Sequence, residues 1–241
     1  MKRYNLKKGL GQSLLASGFL FLAACSDSGD NISQEPVRAE PQPQQKVFTV
    51  SVTNLTNNQP LSPLALISHS EGAIWTINQP ASIALENLAE SGDNSMLLAA
   101  DFAVSAVNGG QIIPPGGAQT ITMQVPLSGQ AYLSLATMLV NTNDAISGLN
   151  RVDVTNLQTG RSLSYKARSY DAGTEANSEL AGTIPGPADG GEGYNSTRDD
   201  VDFVSHHSGV VTADDGASNS VLNESHRFDN PVMRVTITRI Q

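Results

Sequence analysis

Residues Phe48-Thr49-Val50-Ser51-Val52-Thr53 alternate apolar and polar side chains without a break. Successive side chains of a β-strand point to opposite faces, so the three apolar residues of this stretch would share one buried face. The same alternation returns in residues 120–125 and in residues 233–238. Three such segments, far apart in the chain, predict antiparallel strands with one face on a core and the other in water.

Further strands are predicted between these segments. Residues 63–69 and 132–140 are apolar nearly throughout, as strands buried on both faces would be, and residues 163–168 alternate again. Residues 201–211 predict another strand, interrupted at two histidines, and residues 182–199 form a loop rich in Gly, Pro and Asp.

One helix has clear signals at both ends. Pro80 and Ser82 favour its start and Gly92 its end, and a second short helix is predicted within residues 94–100. The apolar stripe of the first helix consists of Ala84, Leu85, Leu88 and Ala89. Many short strands, frequent turns and one or two short helical insertions predict a mainly β protein with an antiparallel β-sandwich.

Two acidic turns indicate a metal site. In Tyr170-Asp171-Ala172-Gly173-Thr174-Glu175, two carboxylates stand four residues apart across a turn that Gly173 permits. A second acidic turn, Asn141-Thr142-Asn143-Asp144, ends another apolar strand. Like charges repel unless a cation lies between them, and hard oxygen ligands suit calcium better than zinc. The alternative is that these are ordinary solvated turns between strands.

The first residues have the pattern of an export signal. A charged start is followed by a short apolar segment over residues 14–24, too short to span a bilayer permanently. Leu22-Ala23-Ala24-Cys25 resembles the lipobox of bacterial lipoproteins, which implies a signal peptide over residues 1–24 and a lipid on Cys25. An ordinary signal peptide with a coincidental cysteine is the alternative. Cys25 is the only cysteine, so the fold has no disulfide.

The mature chain would be strongly acidic. Residues 1–24 contain four of the 14 basic residues and none of the 23 acidic ones, which leaves 10 basic against 23 acidic residues after cleavage. Nucleic acid is therefore excluded as an expected partner. Residues 25–46 predict a disordered tether, and residues 47–241 one domain, which we expect to be a monomer. Ser26 follows the predicted lipid anchor, where aspartate would favour the inner membrane, so the outer membrane is expected.

The order of these segments resembles the spondin domain of F-spondin-type matrix proteins and of bacterial secreted proteins. The residues that carry the resemblance are Val52-Thr53-Asn54-Leu55-Thr56, Leu61-Ser62-Pro63, His69, Leu88-Ala89-Glu90-Ser91-Gly92-Asp93, residues 134–138, Asn141-Thr142-Asn143-Asp144 and Asp171-Ala172-Gly173-Thr174-Glu175.

The resemblance covers residues 47–241 and implies a sandwich similar to a C2 domain that binds one Ca²⁺ through Asp144, Asp171 and Glu175. Glu175 stands where animal members have aspartate, which keeps the charge. The chain also lacks their disulfide cysteines and their thrombospondin repeats, so their partners are not implied here.

Other polar clusters are weaker candidates. The acidic groups Asp199, Asp200 and Asp202, and Asp214-Asp215-Gly216, lack EF-hand spacing and are expected in solvated loops. The four histidines have no zinc-binding spacing, and His69 is expected to be buried and structural.

Two functional classes follow from the sequence. The first is a calcium-binding, lipid-anchored, non-enzymatic binding or adhesion module of the cell envelope, with an extracellular protein, a glycan or a lipid headgroup as its ligand. The alternative is an envelope hydrolase with a calcium-ordered carboxylate cluster, although no nucleophile motif with a nearby base is present. A pocket with two carboxylates and a histidine at one rim would favour the hydrolase.

Overall fold

The structure is a computed structural model that describes residues 44–241, so the predicted signal peptide, Cys25 and most of the predicted tether lie outside the described residues. The strands are β1 (Gln45–Asn54), β2 (Ala65–His69), β3 (Ser105–Asn108), β4 (Ala118–Pro126), β5 (Tyr132–Met138), β6 (Ala145–Asp153), β7 (Ser162–Ala167), β8 (Ser169–Asp171), β9 (Ser205–His206) and β10 (Met233–Arg239). The helices are α1 (Ile83–Ser91) and α2 (Ser95–Leu98), with single-turn 3₁₀ helices at Ala213–Asp215 and Glu224–His226.

Two antiparallel sheets form a β-sandwich, which confirms the predicted fold class. One sheet has the order β4-β1-β10-β7 and the other the order β3-β2-β5-β6-β8-β9. The three alternating segments of the sequence become β1, β4 and β10, which are neighbours in the first sheet. Val50 of β1 lies opposite Ile237 on one side and Ile121 on the other. The alternation therefore puts one continuous apolar face against the core.

The main core lies between the two sheets. Its buried side chains from the first sheet include Phe48, Val50, Val52, Ile121, Met123, Val125, Val235 and Ile237, and those from the second include Leu66, Leu133, Leu135 and Val152. Polar residues between these positions face outward, as Thr49 and Thr122 do.

A second apolar cluster lies on the other face of the six-stranded sheet, where α1 and α2 cover it. Leu85 and Leu88 of α1 and Leu97 of α2 pack there with Ile67 of β2 and Ala136 of β5. Because β2 and β5 are covered on both faces, every residue of β2 is buried. This explains why both strands are apolar nearly throughout.

Helix α1 begins and ends where the sequence predicts. The Ser82 side chain accepts a hydrogen bond of 3.2 Å from the Leu85 N–H, and Gly92 takes the left-handed conformation with φ 71°. The second predicted helix is also present, but α2 spans only Ser95–Leu98. No helix within residues 44–241 is long and apolar enough to cross a membrane.

Several predicted boundaries are wrong. Gln45 and Lys46 were expected in the tether but belong to β1, where the Lys46 ammonium donates 2.6 Å to the Thr155 carbonyl. The strand predicted over residues 201–211 is reduced to the two-residue β9, because only Ser205 and His206 pair with β8. Strands β3, β6 and β8 were not predicted.

Candidate metal site

The two acidic turns meet at one end of the six-stranded sheet. Asp144 closes the turn between β5 and β6, and Asp171 is the last residue of β8. Strands β6 and β8 pair so that Ala145 lies opposite Asp171. Residues 27 positions apart in the sequence therefore become neighbours because of strand register alone.

Asp144 is fully buried, and its two carboxylate oxygens have different surroundings. Oδ2 accepts hydrogen bonds from the backbone N–H of Thr174 at 2.8 Å and of Glu175 at 3.3 Å. Oδ1 is buried and has no hydrogen-bond partner within residues 44–241. A buried carboxylate oxygen without a partner costs free energy, so this oxygen needs either a proton or a cation.

Asp171 is 7% exposed and is held by a chain of hydrogen bonds. Its Oδ1 accepts from the Gly173 N–H at 2.7 Å, and its Oδ2 accepts from the Asn177 side-chain amide. His207 Nδ1 accepts from the Gly209 N–H, so Nε2 carries the proton and donates 3.0 Å to the Asn177 Oδ1. Burial lowers the pKa of His207, which fits this neutral form.

The charge of Asp171 acts on the neighbouring carboxyl group of Asp144. Burial, with the nearby Asp171 carboxylate as the second cause, raises the pKa of Asp144 to about 8. Hydrogen bonds from Thr174 and Glu175 oppose the shift but do not cancel it. The site as built by the protein alone therefore favours either a neutral Asp144 or an additional positive charge.

The side chain of Glu175 has a hydrogen-bond partner that neither Asp144 nor Asp171 shares. Its Oε1 accepts 3.0 Å from the Asn143 side-chain amide, while its backbone N–H donates to Asp144. Burial first, and then the nearby carboxylates of Glu90, Asp199 and Glu192, raise the pKa of Glu175 to about 7. Glu175 therefore belongs to the same turn as Asp171, but the charges that act on its carboxyl group come from other acidic residues.

The structure thus brings Asp144 and Asp171 together and places Glu175 at their edge. Across residues 44–241, no three Asp, Glu, His or Cys side chains are gathered as a ready metal cage. Calcium takes about six to eight oxygen ligands, many of them backbone carbonyls and waters, so two or three carboxylates suffice. The unpartnered, buried Oδ1 of Asp144 is the observation that fits a cation here.

The turn that presents Asp171 and Glu175 depends on Gly173. This residue has φ 72°, a region that residues with a Cβ rarely adopt. A Cβ at this position would also clash with the backbone of Phe203, including its nitrogen at 2.8 Å. Position 173 therefore requires glycine for two reasons, the positive φ and the close approach of the Phe203 backbone. The sequence indicated only the first of these.

Sequence reasoning missed several residues around the site. Asn143 donates a hydrogen bond to Glu175, the charge of Glu90 of α1 contributes to the raised pKa of Glu175, and His207 and Asn177 support Asp171. The only signal for Glu90 in the sequence was its place in a segment that carries the spondin resemblance. That segment does not indicate that Glu90 lies near residue 175.

The Asp199–Asp202 loop is only partly solvated, which corrects the expectation for it. Asp202 is exposed and pairs with Arg198, and exposed Asp199 accepts 2.9 Å from the Ala176 N–H. Asp200 is half-buried, and its pKa is raised by burial and by the Asp171 carboxylate. Asp214 and Asp215 are exposed as expected.

His69 is buried and structural, as predicted. It is 2% exposed, its Nδ1 lies 2.7 Å from the Glu71 carbonyl oxygen, and its Nε2 lies 2.8 Å from the Ser134 hydroxyl. Because that carbonyl can only accept, Nδ1 donates and Nε2 accepts from Ser134. Ser134 is fully buried, so this Ser–His pair joins β2 to β5 and does not open to solvent.

No known family model matches this chain, and no curated protein sequence matches it significantly.

Proposed function

We propose that this protein is a calcium-binding module of the spondin type, displayed on the cell envelope by a lipid on Cys25, with binding or adhesion as its role. Asp144, Asp171 and Glu175 are its proposed calcium ligands. The proposal is supported by the resemblance in sequence, by the lipobox and by the acidic end of the six-stranded sheet.

One observation carries the calcium assignment. Asp144 is fully buried beside Asp171, and its Oδ1 has no partner among the residues that the structure describes. A proton on the Asp144 carboxyl group would be a buried donor without an acceptor. A calcium ion would instead bind Oδ1 and offset the negative charges of both Asp144 and Asp171. Bound calcium would therefore hold the turn before β6 to the turn after β8.

The role assigned to the ion is structural organisation of a surface. Gly173 and Thr174 lie between the two proposed ligands of the second turn, and both are buried, so the ion would fix that backbone. A loop end ordered in this way offers a defined surface to an extracellular protein, a glycan or a lipid headgroup. No catalytic step is assigned to it.

The assignment is tested by calcium titration in a calorimeter and by melting with calcium or chelator. Asp171→Asn removes one charge with little change of shape and should abolish or strongly weaken binding. A ligand that binds only the folded state stabilises it by about 2.7 kcal/mol at a hundredfold excess over its dissociation constant. For a chain of this size that corresponds to a rise in Tm of roughly 5–11 °C.

Asp101→Asn is the matched control. Asp101 is exposed and makes no hydrogen bond within residues 44–241. Asp199 is unsuitable for this purpose because it contacts the turn through Ala176. Equal calcium-dependent shifts in wild type, Asp171→Asn and Asp101→Asn would refute the site.

A further inference from the structure

Strand β7 forms one edge of the four-stranded sheet, with β10 as its only neighbour in the ladder. Alternate residues of a strand direct their backbone N–H and C=O groups to opposite sides. The Arg239 N–H donates 3.1 Å to the Arg161 carbonyl, so the odd-numbered residues of β7 bond to β10. Ser162, Ser164 and Lys166 therefore direct their backbone groups away from β10, where no backbone partner meets them within residues 44–241.

A groove lies beside this edge because β6 and β7 diverge. Strand β8 follows β7 after a single residue, Arg168, and it pairs with β6 only from Ala145 to Ser147. From residue 149 to residue 153, β6 has β5 as its only neighbour. The two chain segments therefore separate beyond this short ladder, and a groove of about 390 Å³ opens between them.

The groove offers apolar surface at the edge of β7. It continues into a second groove of about 340 Å³, and Asp153 lies in both. The apolar and aromatic side chains of the walls are Trp75, Leu149, Tyr165 and Tyr170 in the first groove and Leu157 and Leu163 in the second. Leu163 and Tyr165 alternate along β7 and are only partly buried by the core. A strand added beside β7 would place its own alternate side chains in this groove.

The charge of β7 and of the facing part of β6 is opposite to that of the domain. Residues 44–241 contain 9 basic and 19 acidic residues, but residues 149–168 contain one acidic residue and four basic ones, Arg151, Arg161, Lys166 and Arg168. These four side chains are exposed, and none forms an ion pair within residues 44–241. A second copy of β7 would bring like charges together, whereas an acidic segment would complement them.

We propose that β7 is a docking edge for an acidic, extended segment of another protein, which adds to the four-stranded sheet as a fifth strand. Its backbone would bond to the outward N–H and C=O groups of Ser162, Ser164 and Lys166. Its apolar side chains would enter the groove, and its acidic side chains would lie on the other face, beside the Lys166 ammonium. This surface is separate from the calcium site and needs neither calcium nor the lipid.

Fluorescence anisotropy with the purified full-length chain, in chelator, tests this docking edge. The probe is a labelled synthetic peptide of about eight residues that alternates valine and glutamate, the length of an ordinary strand. Wild type should bind this peptide. It should not bind the same peptide with lysine in place of glutamate, or a version with methylated backbone nitrogens, which cannot donate hydrogen bonds.

Ser164→Pro and Ser164→Ala form a matched pair of variants. Both remove the hydroxyl that lies 3.4 Å from the Thr236 hydroxyl, but only proline removes the outward N–H. Proline is tolerated on an edge strand where the N–H does not serve the ladder, so the variant should fold. Ser164→Pro should weaken peptide binding about tenfold or more, because a donor is lost and the ring obstructs the added strand. Ser164→Ala should bind as wild type does.

Lys166→Glu gives a second test that does not alter the backbone. Its side chain is exposed, and the reversed charge should also weaken binding of the acidic peptide. Far-UV circular dichroism checks that each variant is folded.

The outcomes separate this proposal from the proposed function. Equal binding by Ser164→Pro and Ser164→Ala, or equal binding of the methylated peptide, would overturn strand addition at β7. Equal binding of the lysine peptide would overturn the acidic partner, and no binding of the glutamate peptide by wild type would overturn the whole proposal. None of these results changes the calcium titration of wild type and Asp171→Asn, which tests the proposed function by itself.

Discussion

The Asp144 carboxylate combines complete burial, a neighbouring like charge and one oxygen without a partner among residues 44–241. Without a metal, folding raises its pKa from 3.8 to about 8. The folded chain then keeps a proton that the unfolded chain releases between these two values. In chelator, the contribution of this group to stability is therefore complete below pH ~4 and is lost as the pH rises towards about 8.

Asp144→Asn should separate the proton effect from the calcium effect. The new side chain cannot ionise, and its oxygen can still accept from the N–H groups of Thr174 and Glu175. In chelator at pH 8, the variant should be more stable than wild type by about 1–3 kcal/mol, because wild type must either take up a proton on folding or bury a charge at this pH, and the variant does neither. At pH 5 most of this difference should vanish.

With saturating calcium, wild type should be more stable than Asp144→Asn, because only wild type gains stability from the ion. Thermal melting at pH 5 and pH 8, with calcium and with chelator, provides the four values. A variant whose Tm rises with calcium as much as that of wild type would show that Asp144 is not a ligand.

Strand β10 is central to its sheet, with β1 on one side and β7 on the other. Its residue Ile237 is fully buried in the core between the sheets. Ile237→Ala should lower the free energy of unfolding by about 2–5 kcal/mol, because it removes buried methyl groups and leaves a cavity.

Ile240→Ala is the matched control, since Ile240 follows the same strand but is 51% exposed. Denaturant melts of the two variants measure the difference. Nearly equal losses of stability in the two variants would mean that β10 does not pack as the alternation of its sequence indicates.

Elements with a clear apolar pattern, either alternating or continuous, could be predicted from the sequence, and elements without such a pattern could not. Strands β1, β4 and β10 alternate because one face meets the core and the other meets water. Strand β6 has no such signal: the register shifts between Leu133 and Leu135 of its partner β5, and Gly148 lies so close to the Leu135 carbonyl that no Cβ would fit. Close backbone contacts therefore decide which residues fit in β6, and its apolar and polar residues do not alternate.

The candidate site was also predictable only in part. The turns of Asp144 and Asp171 were visible because each follows a strand, and strand pairing then brought them together. The direction of the Glu175 side chain depends on Asn143, and the position of Glu90 depends on how α1 packs on the sheet. Neither contact has a signature in a single sequence, because both are set by packing between distant segments.

Charged residues are distributed unevenly along the whole chain. The predicted leader carries four basic residues and no acidic ones, and the remaining residues carry 10 basic against 23 acidic ones. An acidic domain is repelled by anionic lipid, so the proposed lipid on Cys25 would give it a means of staying at a membrane that an acidic surface does not provide. Calcium bound at the proposed site would reduce this repulsion.

Cys25→Ser should release the protein from the membrane fraction or prevent its maturation, because the thiol is the atom that would carry the lipid. Ser26→Asp is the matched change one residue further on: it leaves the thiol in place and should shift the protein from the outer to the inner membrane in a host with enteric-type sorting. Metabolic labelling with radioactive palmitate and separation of the two membranes on a sucrose gradient measure both effects. Label should be absent from Cys25→Ser and present in Ser26→Asp. If Cys25→Ser stays in the outer membrane as wild type does, the lipid anchor is wrong, and the membrane would have to be contacted by the acidic domain itself.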